Sequence, residues 1–324
     1  MPDPQPHFVA PPDEVEVLAT DRVADEGTPT SIWGDAWRQL RRNPIFLVAT
    51  VLIAGILLVV AFPGLFTGQD PAYCNGDFSM HAPSGEHIFG YDKQGCDIYA
   101  RAIYGARASV LTGIGAALLF LLVGGTLGAI AGFYGGLLDS IISRITEIVY
   151  SIPMILSAIL LMSLIRPTTD PSWWRVALGL DERTVWTVIV ILASFSWPQA
   201  ARIARASVIE AKNSEYVTAA KALGVSRLRT LIRHVLPNAA GPLIVLTTIW
   251  LGVFIVTEAT LSYLGVGLPS DVVSWGSDIA KGQKEIRTSG ILFYPATALA
   301  LTVLSFIMLG DALRDALDPK GRTR

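Results

Sequence analysis

Six apolar runs, at about 45–66, 108–133, 141–165, 185–204, 239–264 and 291–309, decide what this chain can become. Each is close to the ~20 residues a helix needs to cross a hydrocarbon core. Inside lipid the backbone must satisfy its own hydrogen bonds, so runs of this length are read as transmembrane helices. Residues 100–107 lead into the second run and start its helix before the hydrocarbon. The fold class that follows is all-α: a polytopic membrane protein with six transmembrane helices. Composition agrees, because charged residues make up only 16% of the chain, against ~25% in soluble domains. The net charge of −2 carries little information about partners, since charge here is divided by side of the membrane. There is no basic excess of the kind nucleic-acid binding needs.

The lysine and arginine distribution orients the helices, because cytoplasmic segments retain positive charge. Arg38, Arg41 and Arg42 precede the first run directly. With the N-terminus inside, the loop after the fourth run (Arg202, Arg205, Lys212, Lys221, Arg227, Arg229, Arg233) and the tail (Arg314, Lys320, Arg322, Arg324) are also cytoplasmic. The outside holds Lys93, Arg101, Arg107, Arg166, Arg175, Arg183, Lys281, Lys284 and Arg287, spread over longer loops. Both termini are therefore expected in the cytoplasm. No cleavable signal peptide is read, and the Pro-rich acidic stretch 1–35 has too little apolar surface to fold alone, so it is expected to be a disordered tail.

Between the fourth and fifth runs lies a polar segment, 214–237, which reads as two short helices at the cytoplasmic face. Ser214 can N-cap the first, with Glu215 at the positive end of its dipole. Gly224 is a natural left-handed stop, and Ser226 can cap the second. That second helix carries Leu228, Leu231, Ile232 and Val235 as one narrow apolar stripe, with Arg227 and Arg233 on other faces. Pro237 fits just past its end.

Within the runs, Gly124, Gly128 and Gly132 form overlapping GxxxG spacings that permit close helix approach; packing inside the bundle is favoured over a dedicated dimer seam. Arg144 and Glu147, preceded by Asp139, read as an interfacial ion pair or, more sharply, a contact lining an inner gate. Pro153 and Pro198 are expected to kink the third and fourth helices. Glu258, late in the fifth, reads as a packed or wetted helix-end carboxylate in preference to a proton relay. Cys74 and Cys96 share one polar loop, where a disulfide is favoured over two unlinked thiols. His81 and His87 are read as solvated loop residues rather than zinc ligands, and no metal site is assigned. A Walker P-loop, H-E-x-x-H and G-x-S-x-G are all missing, so intrinsic ATPase and the common hydrolase chemistries lack support.

The 214–237 segment resembles the EAA loop of bacterial ABC-importer permeases, E-A-A-x3-G-x9-I-x-L-P. Ala219 and Ala220 match its alanines, Gly224 its glycine, and Leu236 and Pro237 its final pair, while Thr218 stands at the Glu position and His234 at the Ile position. The run Arg233 to Asn238 is similar to the RHxLPN ending of the peptide branch. Phe89 to Asp92 with Asp97, Tyr104 to Ser109, Gly132 to Gly136, Glu258 to Gly265, Ser274 to Gly276 and Gly310 to Pro319 are similar to further motifs of dipeptide and oligopeptide permeases, with Cys96 where Arg is usual.

This resemblance implies a C-type permease subunit with the type I ABC importer (MetI-like) fold. It further implies a non-catalytic chain whose coupling residues are Glu215, Ala219, Ala220, Gly224, Leu236 and Pro237. The small alanines would allow close seating of an ATPase, and Glu215 would partly replace the salt bridge that Thr218 removes. Partners implied are a second, B-type permease, ATP-binding subunits (two, or one fused), an extracytoplasmic binding protein and a peptide substrate. No cofactor is assigned to this chain, ATP and Mg belonging to the ATPase. The organisation expected is a tail (1–35), a first helix with its outer loop (36–105), a permease core of five helices (106–318) and a short cytoplasmic end (319–324) in a bacterial plasma membrane. A nickel-type permease of the same family and an ion-coupled secondary carrier are the alternatives. The carrier calls for a repeat of spans or midplane ionisable groups, neither of which is evident.

Overall fold

The computed structural model describes residues 32–165, 183–269, 271–285 and 291–317. Most of the predicted tail (1–31), Arg166, Arg175 and Arg287 of the outer set, and the terminal 318–324 lie outside the described residues. In chain order the helices are α1 (Ile32–Leu40), α2 (Pro44–Ala61), α3 (Ile98–Tyr134), α4 (Gly136–Tyr150), α5 (Met154–Leu164), α6 (Val185–Lys212), α7 (Glu215–Ala222), α8 (Arg227–Tyr263), α9 (Trp275–Gln283) and α10 (Phe293–Leu317). Among the described residues α2, α3, α6, α8 and α10 are each long and apolar enough to cross a membrane; α4 and α5 make a sixth span only as a pair bent by 78°.

The bend falls at Ser151–Pro153. Pro153 has no N–H to continue the ladder and itself becomes the N-cap of α5. What reads as one run at 141–165 is thus a broken helix. Pro198, by contrast, sits inside α6 without interrupting it. The expected tail boundary at residue 35 is also displaced, because α1 already begins at Ile32.

The centre of the bundle is α3 against α6, its most extensive interface. Small residues make this approach possible. A Cβ at Gly124 would strike Trp197 O and Ala200, one at Gly128 would strike Ala201 O, and one at Gly132 would stand 2.7 Å from Arg205 O. The GxxxG spacings therefore serve packing within the chain. Helix α8 lies across this pair, with Phe120, Trp250 and Phe254 forming an aromatic cluster at its centre. Helix α10 closes the far side, carrying α2 and the foot of α1.

Candidate functional site

Two polar regions stand at opposite ends of this bundle. At one end is the hairpin of α7 and the start of α8. Gly224 takes φ +79°, open to glycine at no steric cost. The turn closes by two backbone bonds, Val225 N–H to Ala220 O (3.2 Å) and Gly224 N–H to Lys221 O (3.0 Å), the pattern of a Schellman cap. The expected serine caps are different. Ser214 and Ser226 occupy N-cap positions, but neither hydroxyl caps its helix. The free amides turn instead to backbone, as with Val217 and Thr218 N–H on Ser214 O.

The expected single stripe is split in two. Val217, Leu231 and Val235 are buried against Ala129, Val208, Ala211 and Ala239 of the bundle, whereas Leu228 (58% exposed) and Ile232 (57%) face outward with Leu223 (84%). The two alanines divide likewise: Ala219 is exposed and Ala220 buried against the chain itself. Glu215 and Thr218 are exposed. Pro237 does not end a helix. Leu231–Val235 form a π turn, after which Leu236 and Pro237 open the long apolar part of α8. The second arm of the hairpin and the fifth span are one continuous helix, Arg227–Tyr263.

Beneath the hairpin α4 is tied to α6. The Arg205 guanidinium donates from Nε and Nη2 to the two Asp139 oxygens at 2.5 and 2.7 Å, a bidentate geometry. Arg202 lies over the Tyr150 ring at 4.5 Å, and Lys212 Nζ donates to Gly132 O at 2.6 Å. Arg144 and Glu147 are ion-paired at 2.7 Å with side chains 76% and 60% exposed. An exposed pair of this kind is worth little. The bridge between helices is made by Asp139, which sequence reasoning treated as an accessory.

At the other end, the loop between α2 and α3 is closed by a Cys74–Cys96 disulfide. His87 is not a solvated loop residue: Nδ1 meets Asp97 Oδ2 at 2.5 Å and Nε2 meets the Tyr91 hydroxyl at 2.8 Å. The other Asp97 oxygen accepts Ala100 N–H and caps α3. Phe89 stacks on Tyr294 of α10, fastening the loop to the bundle.

Beside it α9 is wedged between α3, α8 and α10. Its N-terminal Trp275 N–H donates to Ser109 Oγ (3.2 Å) and its indole to Ala102 O (2.9 Å). Arg101 donates to Asp278 Oδ1 from Nε (2.9 Å) and Nη2 (2.5 Å), and from Nη1 to Pro71 O (3.2 Å). Both members of this pair are 7% exposed. Burial pushes the Asp278 carboxyl up and Arg101 pulls against it; burial likewise pushes the Lys281 ammonium down. Glu258 is wholly buried under α9 and accepts from Ser262 Oγ at 2.8 Å. The pair Arg101–Asp278 escaped sequence reasoning, which placed Arg101 only among the outer cations.

The family model described as binding-protein-dependent transport system inner membrane component matches residues 124–323, and that of the N-terminal TM domain of oligopeptide transport permease C matches 31–83. The oligopeptide transport system permease protein OppC of Bacillus subtilis (strain 168) is 37% identical over 293 residues, 90% of this chain and 91% of that protein. The dipeptide transport system permease protein DppC of Alkalihalophilus pseudofirmus is 35% identical, covering 91% and 92%, and that of Bacillus subtilis is 38% identical, covering 96% and 94%. Among solved structures, the MetNI methionine ABC transporter in an inward-facing conformation aligns with a TM-score of 0.54 at 18% identity, over 67% of this chain and 96% of the matched one. That likeness shows the type I importer permease fold. With a split-faced hairpin at one end, a wedged helix at the other and these relatives over nearly its whole length, the chain belongs to the family of binding-protein-dependent transport inner-membrane components, the membrane-spanning permease subunits of bacterial ABC importers.

Proposed function

We propose that this chain forms half of the transmembrane pathway for uptake of di- and oligopeptides, driven by a separate ATPase gripping residues 214–237 from the cytoplasm. One observation carries the reading. The hairpin is rooted in the bundle by Val217, Leu231 and Val235, yet offers Leu223, Leu228 and Ile232 outward, an apolar knob left more than half exposed among the described residues. A rooted knob transmits force, because displacing it displaces the core residues beneath. Helix α8 then carries the movement along its length to Glu258 and α9 at the opposite end. In this reading ATP and Mg belong to the ATPase, a B-type permease supplies the other half of the pathway, and a binding protein delivers the peptide at the face bearing α9 and the disulfide loop. The N-terminus and the hairpin share the cytoplasmic side.

The test is reconstitution of the four-component transporter in liposomes with a hydrolysable peptide pool. Leu223→Asp and Leu228→Asp together should leave insertion intact, abolish ATPase co-purification and stop peptide-stimulated hydrolysis. Peptide uptake by this chain alone, driven by a proton gradient without ATP, would refute the proposal.

A further inference from the structure

The geometry points to an anionic-phospholipid site at the elbow of α1 and α2, where Arg38, Arg41 and Arg42 with Trp37 would hold a lipid phosphate at the membrane surface. Helix α1 has two unlike sides. Ala36 and Leu40 are buried on Ala312 and Ala316 of α10, so its apolar side is already occupied by the chain. The other side presents Trp37, 53% exposed, and Arg38, and the turn that follows adds Arg41 and Arg42, all three arginines exposed. These four residues and Gly34 line an open groove of about 360 Å³. Asn43 caps α2 through Ile45 and Phe46 N–H, and the unbroken apolar span begins at Pro44. The guanidiniums at 41 and 42 thus stand just before the first residue of the hydrocarbon segment, at headgroup depth.

Charge and shape select the occupant. Asp35 pairs with Arg38 at 3.9 Å, and among the described residues no ion pair joins Arg41 or Arg42 to a carboxylate. Arg41 lies over the Trp37 ring at 5.5 Å, which orients its guanidinium beside an aromatic side chain of the type that favours the interface. Guanidinium forks match phosphate oxygens in pairs. A soluble phosphate would find these groups, but a phospholipid alone also supplies acyl chains along the exposed Leu47, Val48 and Val51 of α2. Two net positive charges, at about five- to sixfold each, give a preference of roughly thirtyfold for an anionic over a zwitterionic headgroup. The inference rests on the proposed orientation only for the leaflet: with α1 cytoplasmic, the lipid belongs to the inner one.

The experiment uses the full chain in neutral detergent, titrated with phosphatidylglycerol, phosphatidylcholine or inorganic phosphate and read by native mass spectrometry and thermal stability. Wild type should retain phosphatidylglycerol at roughly thirtyfold lower concentration than phosphatidylcholine, with phosphate giving no protection. Arg38→Gln/Arg41→Gln/Arg42→Gln should bind both lipids alike, and the corresponding triple Lys variant, which keeps the charge and the fold, should retain most of the preference. Undiminished preference in the Gln variant overturns the site. So does equal protection by phosphate, which means a soluble anion, or loss of ATPase co-purification with lipid preference unchanged, which means a protein contact. Labelling of Gly34→Cys in sealed vesicles of known sidedness reads the orientation separately, so a wrong leaflet and an absent site give different results.

Discussion

Breaking the Arg101–Asp278 pair from either side should have unequal consequences. Both side chains are buried, and Asp278 Oδ1 takes two of the three hydrogen bonds Arg101 donates. Asp278→Asn strands a guanidinium that cannot shed its charge, and removing one partner of a buried pair costs about 3–5 kcal/mol. Arg101→Met strands a carboxyl that can take up a proton. Keeping it neutral costs about 1.4 kcal/mol for each pH unit above ~3.9, so the penalty is capped near ~1.5 kcal/mol at pH 5 and ~4 kcal/mol at pH 7. The sign follows from the raised carboxyl. Stability is undiminished below the unfolded-state value and is lost as pH rises toward the folded-state value. Lys281, one turn along α9, also favours the ionised form and lessens this slope without reversing it. Equilibrium unfolding in mixed micelles at pH 5 and pH 8, each referenced to wild type, should show Arg101→Met markedly more stable at pH 5 and Asp278→Asn damaged at both, without that gain at pH 5. The double variant Arg101→Met/Asp278→Met should lose less than either single one, since nothing charged is left buried. Equal, pH-independent losses in the two single variants would refute the reasoning.

At Gly224 the open space around an added Cβ means that only backbone strain matters for the isolated chain: Gly224→Ala should loosen the hairpin by about 1–2 kcal/mol, and Gly224→Pro, whose φ is fixed near −65°, should destroy the turn and uncouple hydrolysis from transport while insertion continues. Hydrogen exchange across 215–235 and the ratio of ATP consumed to peptide moved check the two effects. Reducing Cys74–Cys96, 22 residues apart, should destabilise the outer loop by about 3 kcal/mol from regained chain freedom, read as earlier proteolysis of 67–97 at unchanged unfolding of the bundle.

The parts of this molecule visible in the sequence are those set by local pattern. Apolar run length locates the spans, the Gly224 stop locates the hairpin, and glycine spacing on α3 marks the face that meets α6. Pattern falters where a second element decides. The run 141–165 is long enough to read as one span, and Pro153 predicts a kink within it, but nothing local says that the chain turns there by as much as 78°. A stripe containing Leu228, Leu231, Ile232 and Val235 states that one side is apolar but not that the bundle takes two of the four. Arg101 and Asp278 are 177 residues apart and neither position looks unusual until α9 folds back onto α3. His87 was within reach, because Asp97 is an evident helix cap whose second oxygen needs a donor.

The π turn before Pro237 raises the question of whether proline causes it or is tolerated by it. Pro237 offers no N–H, so an ordinary helix here would leave the carbonyl four residues back without its amide. In the π turn the Leu236 N–H reaches Leu231 O, and one extra residue is absorbed. Replacing the proline with alanine and straightening the ladder would regain one hydrogen bond, worth about 1 kcal/mol. Straightening would also rotate the hairpin arm by about 100° relative to the span. Leu231 (6% exposed) and Val235 (0%) would then leave the cluster that roots the hairpin. Burying two such side chains is worth about 3–6 kcal/mol, so packing wins over the backbone. Pro237→Ala should therefore keep the π turn, and a cysteine at Val235 should remain closed to thiol reagents in that background. Rapid labelling at 235 would mean that the proline, and not the buried pair, sets the phase between the hairpin and the fifth span.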